Sequence, residues 1–146
     1  HDLALDEHQK TLDKAVKFTL GDFTGQTTEW MAVRALLEQE FGGQQESASL
    51  KLLLNSQHED GGWGWDTGHP SDALATGIAL YALSRSKGEF VKPVKKAHDF
   101  LIRTQTEKGH WIVPGTKQVR NNKPGATSNY WGTCWAVIGL VSTQPK

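Results

Sequence analysis

Few residue types in this chain could do chemistry, and their spacing narrows the possibilities. Asp60, Asp66 and Asp72 are six residues apart. That is too far for one local carboxylate cluster on a helix, where neighbours stand three or four apart. His69 lies just before Asp72 and could work with it as the acid/base pair of a hydrolase or lyase, although His69-Pro70 also reads as a turn. Cys134 is alone, so no internal disulfide and no cysteine cluster for zinc is expected. Its apolar neighbours mark it as a core residue. Neither a metal nor a cofactor is expected.

A second group is aromatic and polar. Glu29, Trp30, Trp65, His69, Asp72, Tyr130 and Trp131 all fall at or near the starts of apolar helical segments, with Thr28, Ser128 and Asn129 beside them. Helix N-termini favour anions, and aromatic walls favour apolar or cationic ligands. These residues form the candidate ligand-binding site. The competing role for Thr28, Asp72 and Ser128 is helix capping.

The elements that must position them follow from periodicity and punctuation. Leu5, Leu12, Val16 and Leu20 predict a first helix over about Leu3 to Leu20, stopped at Gly21. Thr27 or Thr28 caps a second, carrying Trp30, Val33, Leu36, Leu37 and Phe41 and ending at Gly42-Gly43. Ser47 or Ser49 opens a third that ends near Gln57. Ser71 or Asp72 caps a fourth, Ala73 to Leu83, apolar or small nearly all round and therefore buried on most sides. Pro93 suits the first turn of a fifth, running to about Gln105. Ser128 caps a sixth, Asn129 to about Val141, with Pro145 beyond it.

Two stretches repeat one pattern. Leu53, Gln57, Gly61 and Trp63 recur as Leu101, Gln105, Gly109 and Trp111, an offset of 48. Thr76 to Leu83 falls on Thr133 to Leu140 at an offset of 57, the nine extra residues lying in the loop after Trp111. Ala32 to Leu36 falls on Ala79 to Leu83 at an offset of 47, so the first unit is a degenerate hairpin without the Gln–Gly–Trp loop. A repeated hairpin buries its apolar face only against its neighbours. Polar-faced helices (first, third, fifth) alternate with apolar ones. The expected fold is all-α: about three helical hairpins forming a partial α/α toroid.

Bulk composition agrees with a single domain over residues 1–146. With 16 basic and 16 acidic residues the formal net charge is zero, which argues against a nucleic-acid partner or an anionic membrane surface. No apolar run approaches the roughly 20 residues of a transmembrane segment. The loop cations Lys117, Arg120 and Lys123 read as a solvated face. The start at His1-Asp2 reads as a domain excised from a larger protein. The compartment is left open.

The repeats resemble the QW motifs of the terpene cyclase and protein prenyltransferase superfamily, in the squalene–hopene cyclase form. Lys96, Ala97, Phe100, Leu101, Gln105, Gly109 and Trp111 satisfy that motif. The first copy keeps Gln57, Gly61 and Trp63, with Leu52 in the aromatic position. The resemblance implies a structural task for Gln57, Asp60, Gly61, Trp63, Gln105, Gly109 and Trp111, in which Gln bridges adjoining helix ends, Trp closes the loop and Asp60 braces it. It also shows what is missing. Such a cyclase needs an Asp-x-Asp-Asp acid, and no such run exists here. A prenyltransferase needs Asp, Cys and His for zinc, but Leu74 stands near Asp72 where Cys would be needed, and the sixth helix has no His.

The leading expectation is therefore a non-catalytic binding or interaction domain with an apolar concave face. The alternative is a fragment of a cyclase-like isomerase acting on a polyprenyl substrate, its acid lying elsewhere. The expected partners are an apolar or isoprenoid-like small molecule, and either further domains of a parent chain or a second copy.

Overall fold

The computed structural model describes residues 2–42, 47–115 and 123–144. His1, Gly43, Lys117, Arg120 and Pro145, named above, lie outside them. Six helices follow one another: α1 (Asp2–Thr19), α2 (Thr28–Phe41), α3 (Ala48–Asn55), α4 (Ala73–Arg85), α5 (Val91–Thr104) and α6 (Ala126–Ser142). The protein is all-α. Among the described residues the only strand-like pairing is an isolated antiparallel bridge between Trp63 and Asp72.

Helix α4 is the centre of the molecule. It packs against α2 on one side and α6 on the other, with α3 against α2 and α5 against α4. Ala73, Ala75, Thr76, Gly77, Ile78, Ala79, Leu80, Ala82 and Leu83 are all buried. The α4–α6 crossing is close because both helices carry glycine at the contact. A Cβ on Gly77 would run into the Trp135 carbonyl, and one on Gly139 would meet the Gly77 carbonyl.

Local chemistry fixes the helix starts. The side chains of Thr27, Ser47 and Asp72 accept hydrogen bonds from Trp30 N (3.1 Å), Leu50 N (3.0 Å) and Ala75 N (2.9 Å). Each satisfies an amide that the helix leaves unpaired. Helix α3 ends at Asn55, earlier than its pattern predicts, and the Gln57 side chain turns into the following loop. Helix α6 starts at Ala126, before Ser128, with Gly125 as its cap residue. Ser128 does not cap a helix beginning at Asn129. It sits inside the first turn, where its hydroxyl accepts from Gly125 N (3.0 Å) and donates to the Val113 carbonyl (2.8 Å). That second bond joins residues 15 apart in the chain, which local sequence does not announce.

The two Gln–Gly–Trp loops make the same bonds. Trp63 Nε1 donates to the Leu53 carbonyl (2.8 Å), as Trp111 Nε1 does to Leu101 (2.9 Å). Gln57 Nε2 donates to the Gly61 carbonyl (2.8 Å) and Gln105 Nε2 to that of Gly109 (2.9 Å). The Trp63 and Trp111 amides donate to Thr76 Oγ1 (3.0 Å) and Thr133 Oγ1 (3.2 Å). Gly61 and Gly109 turn at positive φ, 92° and 82°, a conformation that favours glycine. Asp60 Oδ1 accepts from Gly62 N (3.0 Å) and Ser71 Oγ (2.8 Å).

The first hairpin is held differently. Helix α1 touches little apart from α2, and Phe18 and Phe23 stay exposed. One guanidinium gathers the end of α1. Arg34 donates to the carbonyls of Thr19, Leu20, Gly21 and Phe23 at 2.9–3.1 Å, and through Nε to Glu38 (3.1 Å). Glu38 in turn accepts from Ser47 Oγ (2.7 Å), Ser49 Oγ (2.8 Å) and Ser49 N (3.1 Å) at the start of α3. Burial raises the Glu38 carboxyl pKa, but the bonds from Ser47, Ser49 and Arg34 outweigh it and hold it below the ordinary glutamate value. A depressed carboxyl contributes stability above its unfolded pKa and loses it as pH falls through the folded one. Glu38→Gln is therefore expected to lower stability by about 1–3 kcal/mol at pH 7. The difference should close once the pH drops below the folded pKa of Glu38. Urea unfolding of both proteins across that range checks this, and a pH-independent gap would contradict it.

Candidate functional site

The N-terminal ends of α2, α4 and α6 converge on a cleft of about 680 Å³. Its wall is aromatic and aliphatic, with Trp65, Trp131 and Trp135 joined by Leu74, Ile78 and Pro114. Its polar atoms come from Thr28, Glu29, Asp72, Lys123 and Ser128.

Each wall residue has a local reason to be where it is. Thr28 opens α2, and its amide donates to the Trp65 carbonyl (2.9 Å) while its hydroxyl donates to Gly64 O (2.7 Å). These bonds pin the loop after Trp63 to the start of α2 and leave the Trp65 ring half in solvent. Trp131 and Trp135 lie four apart on α6 and so share a face. Trp135 is half-buried and packs edge-to-face on Tyr81, with ring centres 6.0 Å apart. Leu74 and Ile78 have the same spacing on α4.

Asp72 is the titratable group that burial shifts most plainly in the cleft. Desolvation raises its carboxyl pKa, and the amides of Ala75 and Leu74, with the nearby His69, offset that only in part. It nonetheless caps α4, and its own amide donates to the Trp63 carbonyl (2.9 Å).

The structure brings Glu29, Trp65, Asp72 and Trp131 together around the cleft. Three other candidates fall elsewhere. Trp30 lies in a separate groove between α1 and α2, with the Arg34 guanidinium 5.3 Å from its ring centre. Tyr130 is exposed and packs edge-to-face on Trp131, outside the cleft. His69 is exposed and bonds through Nδ1 to Asp66 Oδ1 (2.7 Å), not to Asp72. That bond and the Gly68 amide hold the Asp66 pKa below its ordinary value. His69 is thus paired with Asp66 in the exposed loop and not with Asp72, its partner in the hydrolase or lyase reading. Lys123, read as part of a solvated face, reaches the cleft rim. Trp135, Leu74, Ile78 and Pro114 were not among the candidates. The four-residue spacing from Trp131 could have pointed to Trp135.

Cys134 is half-buried and free. Among the described residues no group of three or more His, Cys, Asp and Glu could hold a metal ion, and no helix is long and apolar enough to cross a membrane.

Fold and cleft define an all-α helical-hairpin protein with an aromatic-walled opening at the helix N-termini. No protein-family model matches the chain. Over 67 residues, 46% of this chain, it is 36% identical to the drimenyl diphosphate synthase of Streptantibioticus cattleyicolor. The matched stretch is 12% of that protein's length, so the chain spans only a small part of this relative. The likeness is partial.

The raised Asp72 pKa yields a prediction with a definite sign. A carboxyl whose folded pKa is raised takes stability away as pH rises through its titration. Asn caps helices about as well as Asp. Asp72→Asn should therefore match or exceed the natural protein in stability at pH 7, with the difference vanishing below the folded pKa. Asp72→Ala should lose about 1 kcal/mol through the missing cap. Thermal unfolding of the three proteins at acid and neutral pH reads both effects.

Proposed function

We infer that this chain is a binding domain whose cleft at the starts of α2, α4 and α6 takes an apolar, isoprenoid-like ligand. One observation carries the reading: Trp65, Trp131 and Trp135, from a loop and from α6, line one opening with Leu74 and Ile78. A wall of this kind gains from burying hydrocarbon, and its few polar groups would orient one end of the ligand. The partial likeness to a drimenyl diphosphate synthase, a terpenoid enzyme by its name, points to the same ligand class.

The domain acts by holding the ligand, not by transforming it. Asp72 is a half-buried carboxyl of the cleft, but it is engaged as the cap of α4. The sequence has no Asp-x-Asp-Asp run to serve as an alkene-protonating acid. On this reading α2, α4 and α6 form the concave side of a partial α/α toroid like those of the squalene cyclases and prenyltransferases, and α3 and α5 its outer side. The alternative, part of a cyclase-like isomerase working on a polyprenyl chain, would use the same cleft with an acid supplied from elsewhere.

Titration with farnesol and with farnesyl diphosphate, followed by tryptophan fluorescence, tests the reading. Saturable quenching is expected, and Trp131→Ala should weaken binding on the order of tenfold while the circular dichroism stays unchanged. Quenching that does not saturate, or equal affinity in the variant, would sink the cleft assignment. Conversion of either compound to a cyclised product would move the reading to the isomerase.

A further inference from the structure

The two repeat loops make the same internal bonds, yet their outer sides differ. Gln57 Nε2 donates twice, to the Gly61 carbonyl and to the Pro93 carbonyl in the first turn of α5 (2.9 Å). Gly61 lies hard against the second turn of α5, where a Cβ would run into the Lys96 carbonyl. Arg103 Nη2 completes the contact by donating to the Asp60 carbonyl (3.1 Å). The first loop is thus a socket, and α5 is seated in it.

The second loop has the same shape. Gln105 bonds to Gly109 as Gln57 does to Gly61, and Gly109 has the same positive φ. Among the described residues the site equivalent to the α5 turn is open: none lies within 4 Å of a Cβ built on Gly109, and Gln105 is exposed.

The inner helices repeat the contrast. The α4 face that meets α6 carries Gly77, Leu80 and Tyr81. At the offset of 57 these positions become Cys134, Val137 and Ile138 on α6. Leu80 is 0% exposed, whereas Val137 is 48% and Ile138 41% exposed. On the outer helix Ile102 is 70% exposed, where its counterpart Leu54 packs against the core.

We propose that the α5–α6 edge is a docking surface for a further α/α hairpin of the same repeat, seated as α5–α6 is seated on α3–α4. Its outer helix lends Gln105 a first-turn carbonyl and lays its backbone against Gly109. Its inner helix lies along Val137 and Ile138. The occupant is identified by the interface the chain already makes once within itself, and the proposal does not depend on what the cleft binds. One position sets a condition. Cys134 stands where α4 has Gly77, so the incoming inner helix must stand further off there or offer a small residue.

The test builds the occupant from the chain's own sequence. Residues 84–144 are appended directly after Leu140, which places a second copy of α5–α6 in register, with Cys134 kept and with Cys134→Gly. A single unfolding transition is expected, with its midpoint raised on the order of 5 °C and raised further by Cys134→Gly. Gly109→Ala should cost only the strain of its positive φ in the natural chain, less than Gly61→Ala costs, and become as damaging as Gly61→Ala in the extended one. The proposal is overturned if the added hairpin melts separately at a lower temperature. It is also overturned if Gly109→Ala has the same effect in both chains. A measurement on the natural chain stands whether or not the extension folds: Val137→Lys should leave its midpoint unchanged, and a loss like that of a core substitution would show the face to be already in use. A concentration-dependent dimer of the natural chain abolished by Val137→Lys would name a second copy as the occupant and likewise overturn the proposal.

Discussion

The indole N–H of Trp63, bonded to the Leu53 carbonyl in the last turn of α3, is the contact on which the rest of the structure depends. A helix end leaves carbonyls unpaired, and a tryptophan buried as completely as Trp63 must find an acceptor for its N–H. The Leu53 carbonyl, which also accepts from Ser56 Oγ (2.8 Å) and Ser56 N (3.2 Å), meets the indole's need, and the chain is thereby folded back over the helix it has just left. The rest of the loop follows from this return. Gly61 supplies the left-handed turn, the Trp63 amide and carbonyl reach Thr76 and Asp72 at the start of α4, and Gln57 reaches forward to α5. One ring thus sets the relation between three helices.

That constraint also explains where the cleft lies. Because the two loops return to the starts of α4 and α6, and Thr28 at the start of α2 bonds to the Gly64 and Trp65 carbonyls, the N-terminal ends of α2, α4 and α6 are gathered on one side with Trp65. The close α4–α6 crossing through Gly77 and Gly139 sets Leu74 and Ile78 beside Trp131 and Trp135. The cleft is a consequence of repeat geometry, and its chemistry comes from the few side chains that differ between repeats. Trp131 stands on α6 where α4 has Leu74, and Trp135 where α4 has Ile78.

Much of the fold was legible because helix periodicity, Ser, Thr and Asp caps and glycine stops are local signals. Thr27, Ser47 and Asp72 were each among the named cap choices, and the near-continuous apolar run of α4 marked it as the buried helix. The misplaced residues are those decided by tertiary contacts. Ser128 bonds across to Val113, so α6 begins before its obvious cap. Trp30 sits one helical face away from the cleft, held beneath Arg34, while Trp135 on α6 turns into it. His69 finds Asp66 within its own loop before it can meet Asp72. The Arg34 clamp on α1 left no trace in any pattern, because its acceptors are backbone carbonyls that every residue carries.

Hydrogen exchange of the indole N–H groups, followed by NMR, tests the dependence on the Trp63 contact most directly. If the loop closure is as central as its bonds imply, the Trp63 indole exchanges only through global unfolding, while those of Trp65 and Trp131 exchange freely. The Trp111 indole, which makes the same bond in the repeat with an open outer side, should fall between them. A Trp63 indole that exchanges as fast as Trp65 would mean that the loop opens without the core, and the account built on that contact would fail.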